Sequence, residues 1–184
     1  MEKSGPAVTI FTDGACSGNP GMGGWAAILM LHRTVRIIVG FEPHTTNNRM
    51  ELSAAIASLQ ALTKSSEVKL FTDSRYVLDG ITRYIHTWKQ NKWRTASKTP
   101  VVSVDLWVKL SELASIHQVH WNWVPGHADN RFNNFADLLA RASIKSGEGI
   151  DLKIKVNEFD DLIERHHKPP ELMSQLRVLQ SLRS

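Results

Sequence analysis

Val8-Thr9-Ile10-Phe11-Thr12-Asp13 and Val68-Lys69-Leu70-Phe71-Thr72-Asp73 are two apolar, β-branched runs that each end on an aspartate. Runs of this length and composition read as strands. In both, the acid is followed by a small residue, Gly14 or Ser74, which leaves space around the carboxylate. Open α/β sheets bind ligands in the crevice beyond the carboxyl ends of their strands, so two strand-end acids mark a candidate site.

Two further acids lie in helical settings. Glu51 opens an alanine-rich stretch, and Asp137 sits between Ala136 and Leu138-Leu139-Ala140. Taken singly, each acid has an ordinary explanation: a turn former at a strand end, a dipole partner in a first helical turn, a charge on a helix surface. Taken together, several carboxylates facing one another repel unless something compensates, and divalent cations are the usual compensation. A carboxylate-only set suits magnesium and phosphate chemistry better than zinc, redox or acyl-transfer chemistry.

Between these runs the pattern alternates in kind. Cys16-Ser17-Gly18-Asn19-Pro20-Gly21 is a turn by composition. Gly23 to Leu31 and Thr34 to Phe41 read as two strands joined tightly at His32-Arg33, hence an antiparallel hairpin. From Asn48 to Thr63 a helical stripe of Met50, Ala54, Ile56, Ala57, Leu59 and Leu62 takes over. Ser74 is placed to cap a helix after the second strand run. Arg83 to Lys89 continues as a short helical piece, and Asn91 to Thr99 is a polar loop. Val104 to Ala114 is helical, Val119 to Val124 alternates as a strand until Pro125-Gly126, and Asn133 to Ile144 is again helical. The order β-β-β-α-β-α-α-β-α specifies an α/β fold: a mixed five-stranded sheet flanked by helices, its first three strands antiparallel.

At 184 residues the chain is one ordinary domain with an appendage. Gly147 and Gly149 mark the boundary, giving a domain over 1–148 and a C-terminal extension over 149–184. In the extension, 151–156 reads as an extended piece, and Glu171 to Leu182 as a helix striped by Leu172, Leu176, Leu179 and Leu182. Docking on the domain is the favoured reading, because a lone amphipathic helix gains most of its stability from tertiary contact. Binding an unidentified protein is the alternative. The single Cys16 excludes an internal disulfide and a multi-cysteine metal site, which fits a reducing compartment. No N-terminal apolar segment and no run of 18 apolar residues is present, so neither secretion nor membrane insertion is expected and a cytoplasmic setting is. A monomer is expected as well.

The net charge of +4 is unevenly spread, and all the excess lies before residue 151. Arg83, Lys89, Lys92, Arg94 and Lys98 fall in one run without an acidic residue, and Trp88 and Trp93 are interleaved with them. A local basic run on a modestly charged chain marks a polyanion-binding face. Trp supplies an apolar platform for sugars or bases as well as core packing.

Four longer segments carry a resemblance. Thr12-Asp13-Gly14-Ala15-Cys16-Ser17-Gly18-Asn19-Pro20-Gly21, Thr45-Thr46-Asn47-Asn48-Arg49-Met50-Glu51-Leu52, Thr72-Asp73-Ser74-Arg75-Tyr76-Val77 and Trp123-Val124-Pro125-Gly126-His127-Ala128 resemble, in order, the motifs of the ribonuclease HI family. Asp137 follows His127 by ten residues, at the family's spacing. The segment 83–100 resembles the basic protrusion of the bacterial type, and the whole likeness spans roughly residues 7–146.

The resemblance implies strand order 3-2-1-4-5 and an endonuclease that hydrolyses the RNA strand of RNA–DNA hybrids, leaving 5′-phosphate and 3′-hydroxyl ends. It implies that Asp13, Glu51, Asp73 and Asp137 hold two divalent ions, normally Mg²⁺ with Mn²⁺ as a substitute, and that His127 assists proton transfer or product release. It further implies that Asn19, Asn47 and Asn48, with Cys16 and Ser74 nearby, read the minor groove and the RNA 2′-hydroxyls, the group that distinguishes RNA from DNA. By the same likeness Thr46 lines a DNA-phosphate pocket. The likeness also implies that Lys89, Lys92 and Arg94, with Trp88 and Trp93, grip the DNA strand. Two departures stand out: Arg75 where bacterial members often carry Gln, and Asn134 where an acidic residue often precedes the last catalytic Asp. The rival readings are a DNA nuclease or transposase-like enzyme of the same fold, and a hybrid-binding module that has lost catalysis.

Overall fold

The computed structural model describes residues 5–126, 129–165 and 169–183. A long strand β1 (Gly5–Gly18) pairs antiparallel with β2 (Gly21–Leu31), which pairs antiparallel with β3 (Thr34–Thr45). The β2–β3 hairpin turns on His32 and Arg33, with His32 at φ 53°. The segment expected to be a turn from Cys16 to Gly21 is mostly strand: pairing runs to Gly18↔Gly21, leaving Asn19-Pro20 as the turn. Composition pointed to a loop there, but the ladder hydrogen bonds to β2 decide the backbone.

Helix α1 (Asn47–Gln60) follows β3, capped by the Thr46 hydroxyl, which accepts from the Arg49 amide at 3.4 Å. Because the helix starts at Asn47, Glu51 lies just past its first turn, not within it. Strand β4 (Ser66–Thr72) lies parallel to β1, and β5 (Gln118–Trp123) lies parallel to β4. Between them come α2 (Arg75–Asp79), a π-helical turn over Gly80–Tyr84, α3 (Ile85–Gln90) and α4 (Val104–Ile116). The Ser74 hydroxyl caps α2 by accepting from the Val77 amide at 3.3 Å. Helix α5 (Arg131–Ser146) is capped by Asn130.

The extension supplies a sixth strand. β6 (Ile150–Lys155) pairs antiparallel with the outer edge of β3, giving the order β5-β4-β1-β2-β3-β6. The five-strand order is therefore kept and lengthened by one. Ile150, Leu152 and Ile154 are buried while Asp151, Lys153 and Lys155 are exposed, the period-two pattern of a strand with one covered face. Arg36 of β3 grips Asp151 through both guanidinium arms, at 2.8 and 2.7 Å. Beyond it lie α6 (Val156–Arg165) and α7 (Pro169–Ser181).

Helices cover both faces of the sheet. On one, Val8, Ile10, Leu29 and Leu70 meet Leu52 and Leu59 of α1 and Trp107 and Leu110 of α4. On the other, Phe11, Ile28, Ile37 and Val39 meet Phe135 and Leu139 of α5, Phe159 of α6, and Leu172 and Leu176 of α7. No helix among the described residues is long and apolar enough to cross a membrane.

Candidate active site

Parallel pairing of β1 and β4 sets Thr12 opposite Thr72, so the next residue of each chain, Asp13 and Asp73, emerges side by side at the carboxyl end. Helix α1 reaches the same place because Gly14 lacks a side chain. A Cβ there would lie 2.4 Å from the Glu51 backbone nitrogen, closer than packing permits. The result is a cluster in which carboxylate oxygens of Asp13, Glu51 and Asp73 all lie within 4.8 Å of one another. Asp13 and Glu51 are buried.

The electrostatics match that geometry. Burial, and then the charges of Asp73 and Asp137, hold the Asp13 carboxyl well above its usual range. Burial, followed by the charges of Asp13 and Asp73, does the same for Glu51. Backbone hydrogen bonding from Gly14 works in the opposite direction for both. The Glu51 Oε2 atom is buried without a hydrogen-bond partner among the described residues. An orphaned buried acceptor beside two more acids fits a divalent cation: all donors are hard carboxylate oxygens, and their repulsion is what such an ion removes.

Asp137 projects from α5 toward these acids, and its charge contributes to both raised values. Its Oδ2 is ion-paired with Arg141, one turn along the helix. The structure thus brings three of the four expected acids into one cluster and sets the fourth beside it in an ion pair. His127 lies outside the described residues. Gly126, just before it, is packed against Asp73: a Cβ on Gly126 would sit 2.8 Å from Asp73 Oδ2.

The expected substrate-contacting residues form two groups. At the β1–β2 turn and the start of α1, Asn19 Oδ1 accepts from the Asn47 amide at 3.2 Å, and Asn48 is exposed beside it. The half-buried Cys16 points its thiol at the Thr45 carbonyl, 3.5 Å away, and the Thr46 hydroxyl is engaged as the helix cap. At the end of β4, Ser74 caps α2 and the exposed Arg75 lays its guanidinium 3.8 Å over the Trp123 ring. Trp123 Nε1 in turn donates to the Asp73 carbonyl at 3.1 Å.

In the basic segment Lys89, Lys92 and Arg94 are exposed, but the two tryptophans are half-buried. Trp88 meets Tyr84 at 5.7 Å and Trp107 of α4 edge-on at 5.2 Å, and both Trp88 and Trp93 pack against the hydrophobic core. Their rings anchor the segment to the body. Arg94 donates to the Lys98 carbonyl at 2.8 Å, closing the excursion on itself.

Sequence reasoning passed over three contributors. Asn133, 1 % exposed, donates through Nδ2 to Asp73 Oδ2 at 3.3 Å, and its own Oδ1 is buried without a partner among the described residues. Asn133 and Arg141 stand four residues either side of Asp137, so helical spacing alone puts all three on one face. Trp123 ends β5 in parallel register with Thr72, which sets it next to Asp73.

A sheet of this order, with acids at the carboxyl ends of two parallel strands and on two helices from opposite faces, defines a metal-dependent nuclease fold. Residues 5–145 match the RNase H family model. A ribonuclease H from Nitrobacter hamburgensis is 58% identical over 139 residues, covering 76% of this chain and 92% of that protein. One from Ehrlichia canis is 57% identical over 137 residues, covering 74% and 94%. Among solved structures, LC9-RNase H1, described as a type 1 RNase H with the type 2 active-site motif, superposes with a TM-score of 0.73 at 31% identity, covering 83% of this chain and 80% of that one. The chain belongs to the RNase H family.

Proposed function

We propose that this ribonuclease H hydrolyses the RNA strand of RNA–DNA hybrids, giving 5′-phosphate and 3′-hydroxyl products, with Mg²⁺ as its natural ion. The observation that carries the reading is the convergence of Asp13, Glu51 and Asp73 from three separate segments around a buried carboxylate oxygen of Glu51 that has no hydrogen-bond partner among the described residues. Asp13, Glu51, Asp73 and Asp137 would hold two divalent ions, with Asp13, from the first strand, shared between them and Mn²⁺ able to substitute. Ions bound there supply Lewis-acid stabilisation of the phosphate oxygens and lower the pKa of an attacking water.

The chain's own groups do the rest. Buried Asp13 and Glu51, with the half-buried Asp73 beside them, would set where the ions, and through them the scissile phosphate, are held. The Asn133 amide and the Trp123 indole hold Asp73 in orientation through its side chain and its main chain. Asn19, Asn47 and Asn48, with Cys16 and Ser74, present donors and acceptors to ribose 2′-hydroxyls, which a DNA strand lacks. Thr46 offers a phosphate contact on the DNA strand. Arg75, its guanidinium over the Trp123 ring, donates to a phosphate or a base edge. Lys89, Lys92 and Arg94 contribute salt-dependent, sequence-independent contacts to the DNA backbone, with Trp88 and Trp93 bracing the segment. His127 carries an imidazole, the side chain type that can both take up and release a proton near neutral pH, which suits proton transfer and product release. A cytoplasmic monomer is the setting we assign. Residues 1–148 form the catalytic unit, with the protrusion over 83–100, and 149–184 serve as its structural extension rather than as a partner-binding arm.

The test is a labelled RNA–DNA hybrid, an RNA duplex and a DNA duplex, each incubated with Mg²⁺, Mn²⁺ or EDTA, alongside Asp13→Asn. Selective cutting of the hybrid's RNA strand that EDTA and Asp13→Asn abolish is expected. Equal cutting of all three duplexes, or activity that survives EDTA, would refute the proposal. His127→Ala should slow turnover by roughly 10²-fold, the lower bound for a general acid–base group, without abolishing it. Loss as complete as that of Asp13→Asn would give His127 an essential role instead.

A further inference from the structure

Ring contacts run without a break from the C-terminal extension to the two strand ends that carry Asp13 and Asp73. Phe159 of α6 is fully buried. It stacks on Phe132 with centroids 6.0 Å apart and planes at 13°, and meets Phe135 edge-on at 5.7 Å. Phe132, in the first turn of α5, lies 5.1 Å from Phe11, and Phe11 stacks on Phe71 at 5.0 Å and 15°. Phe11 precedes Asp13 by two residues on β1, so the ring and the carboxylate share a face of the sheet. Phe71 precedes Asp73 at the same spacing.

A polar tie runs beside the rings. Asp160, next to Phe159, accepts from Arg131 at 2.9 Å, and the Arg131 guanidinium covers the Phe132 ring at 4.6 Å. Phe159 and Asp160 therefore hold the first turn of α5, the helix that presents Asn133 and Asp137, from its outer side. Both lie beyond residue 145, where the family match ends.

We propose that Phe159, assisted by Asp160, is a positioning residue for the metal site. Helix α6 clamps the first turn of α5 onto the Phe11–Phe71 pair, and so sets the spacing between the strand-end acids and Asp137. The inference rests on the reading that these acids hold divalent ions. A metal constellation has to be held to within about 0.5 Å, and ligands on different elements keep that tolerance only if the elements are locked together. Here the lock between β1, β4 and α5 is a phenylalanine stack whose outermost ring comes from the extension.

Burial alone would make Phe159 a core residue, and the experiment separates the two roles. Full-length Phe159→Leu, Asp160→Asn and Ile154→Ala would be compared with the parent by calorimetric titration with Mg²⁺ and Mn²⁺, by thermal melting, and by kcat and KM on a hybrid. Ile154 is buried in the same cluster and the same extension but takes no part in the ring series, so it reports loss of stability alone. Phe159→Leu is expected to weaken metal affinity about tenfold, the lower end for groups that orient metal ligands. Its kcat should fall at limiting Mg²⁺ and recover at high Mg²⁺, with the hybrid KM unchanged. Asp160→Asn, which leaves the core closed, should show a smaller loss in the same direction. Ile154→Ala should melt earlier with parental metal affinity. Unchanged affinity in Phe159→Leu, or an equal loss in Ile154→Ala, would overturn the inference while leaving the nuclease reading intact. A parent protein that binds neither ion would instead refute the metal reading on which both depend.

Discussion

The Asn133 side-chain amide donates to Asp73 Oδ2 at 3.3 Å, joining helix α5 to the end of β4 inside the acidic cluster. The bond fixes one carboxylate oxygen, while the buried Asn133 Oδ1 has no hydrogen-bond partner among the described residues. We expect Asn133→Ala to lower kcat at limiting Mg²⁺ about tenfold, as lost orienting contacts to metal ligands do. Its melting temperature should change little, because the variant also removes an unsatisfied acceptor, worth about 1–3 kcal/mol on its own. Asn133→Asp places another carboxyl against Asp73 and should be worse at low Mg²⁺ and partly restored at high Mg²⁺. Steady-state rates across a Mg²⁺ series decide it; rates in both variants that match the parent's at every Mg²⁺ concentration would exclude the orienting role.

The raised pKa values of Asp13 and Glu51 give the metal-free protein a defined pH dependence. Below about pH 4, the ordinary carboxylate range, both acids are protonated whether the chain is folded or not, and they contribute no difference. As pH rises, the unfolded chain ionises first while the folded site keeps its protons, so stability declines until the raised folded values are passed and then levels off. Asp105, Asp151 and Glu158 are shifted the other way: arginine hydrogen bonds lead for the first two, held by Arg49 and Arg36, and a backbone hydrogen bond from Lys155 leads for Glu158. The informative quantity is therefore the melting difference between the parent and Asp13→Asn in EDTA. Asp13→Asn should gain on the parent as pH rises from 4 upward, and saturating Mg²⁺ should reverse the order. A difference that stays flat with pH would contradict the burial of these charges.

Much of this site was legible in the chain, for identifiable reasons. Strand-end acids can be read because a parallel pair carries two equivalent positions to the same height, here Thr12 beside Thr72. The helical acids were readable as candidates, but whether α1 could approach depended on Gly14, whose role is visible only as a distance to the Glu51 backbone. The strand nature of 150–155 was present in its alternation, yet nothing local says that β3 offers it an edge. The turn expected at Cys16–Gly21 illustrates the converse, since glycine and proline there are tolerated within and between long paired strands. Least legible was the Phe159–Phe132–Phe11–Phe71 series, which joins residues up to 148 positions apart and has no period. The half-burial of Trp88 and Trp93 belongs to the same kind, because a basic surface run can be tied down from beneath.

Arg141 is ion-paired with Asp137, and its charge also lowers the pKa of Asp13, so it is a resident cation at the edge of a cation site. Removing it should strengthen binding of any other cation, proton or metal. Arg141→Gln is expected to lower the Mg²⁺ concentration for half-maximal rate at pH 8 by about threefold, in keeping with a half-exposed charge interacting across roughly 1 kcal/mol or less. The acidic limb of its pH–rate profile should move to higher pH. A higher Mg²⁺ concentration for half-maximal rate, accompanied by a limb shifted to lower pH, would show that Arg141 supports the metal rather than competing with it.

Among the described residues, Lys89 and Lys92 form no ion pair, while Arg94 is held by the Lys98 carbonyl within the excursion that Trp88 and Trp93 anchor. Cations arranged this way bind a nucleic-acid backbone by releasing its counterions, and each contact adds about one unit to the slope of log affinity against log salt. In an Asp13→Asn background, which leaves the hybrid uncut, Lys89→Ala with Lys92→Ala should reduce that slope by about two and weaken binding at low salt regardless of sequence. Trp93→Ala should reduce it too, although no charge is removed, because an untethered segment no longer presents its lysines in fixed positions. A Trp93→Ala slope equal to the parent's, together with a loss of affinity that is the same at every salt concentration, would mean that the ring contacts the substrate directly and that its packing against the core is incidental to binding.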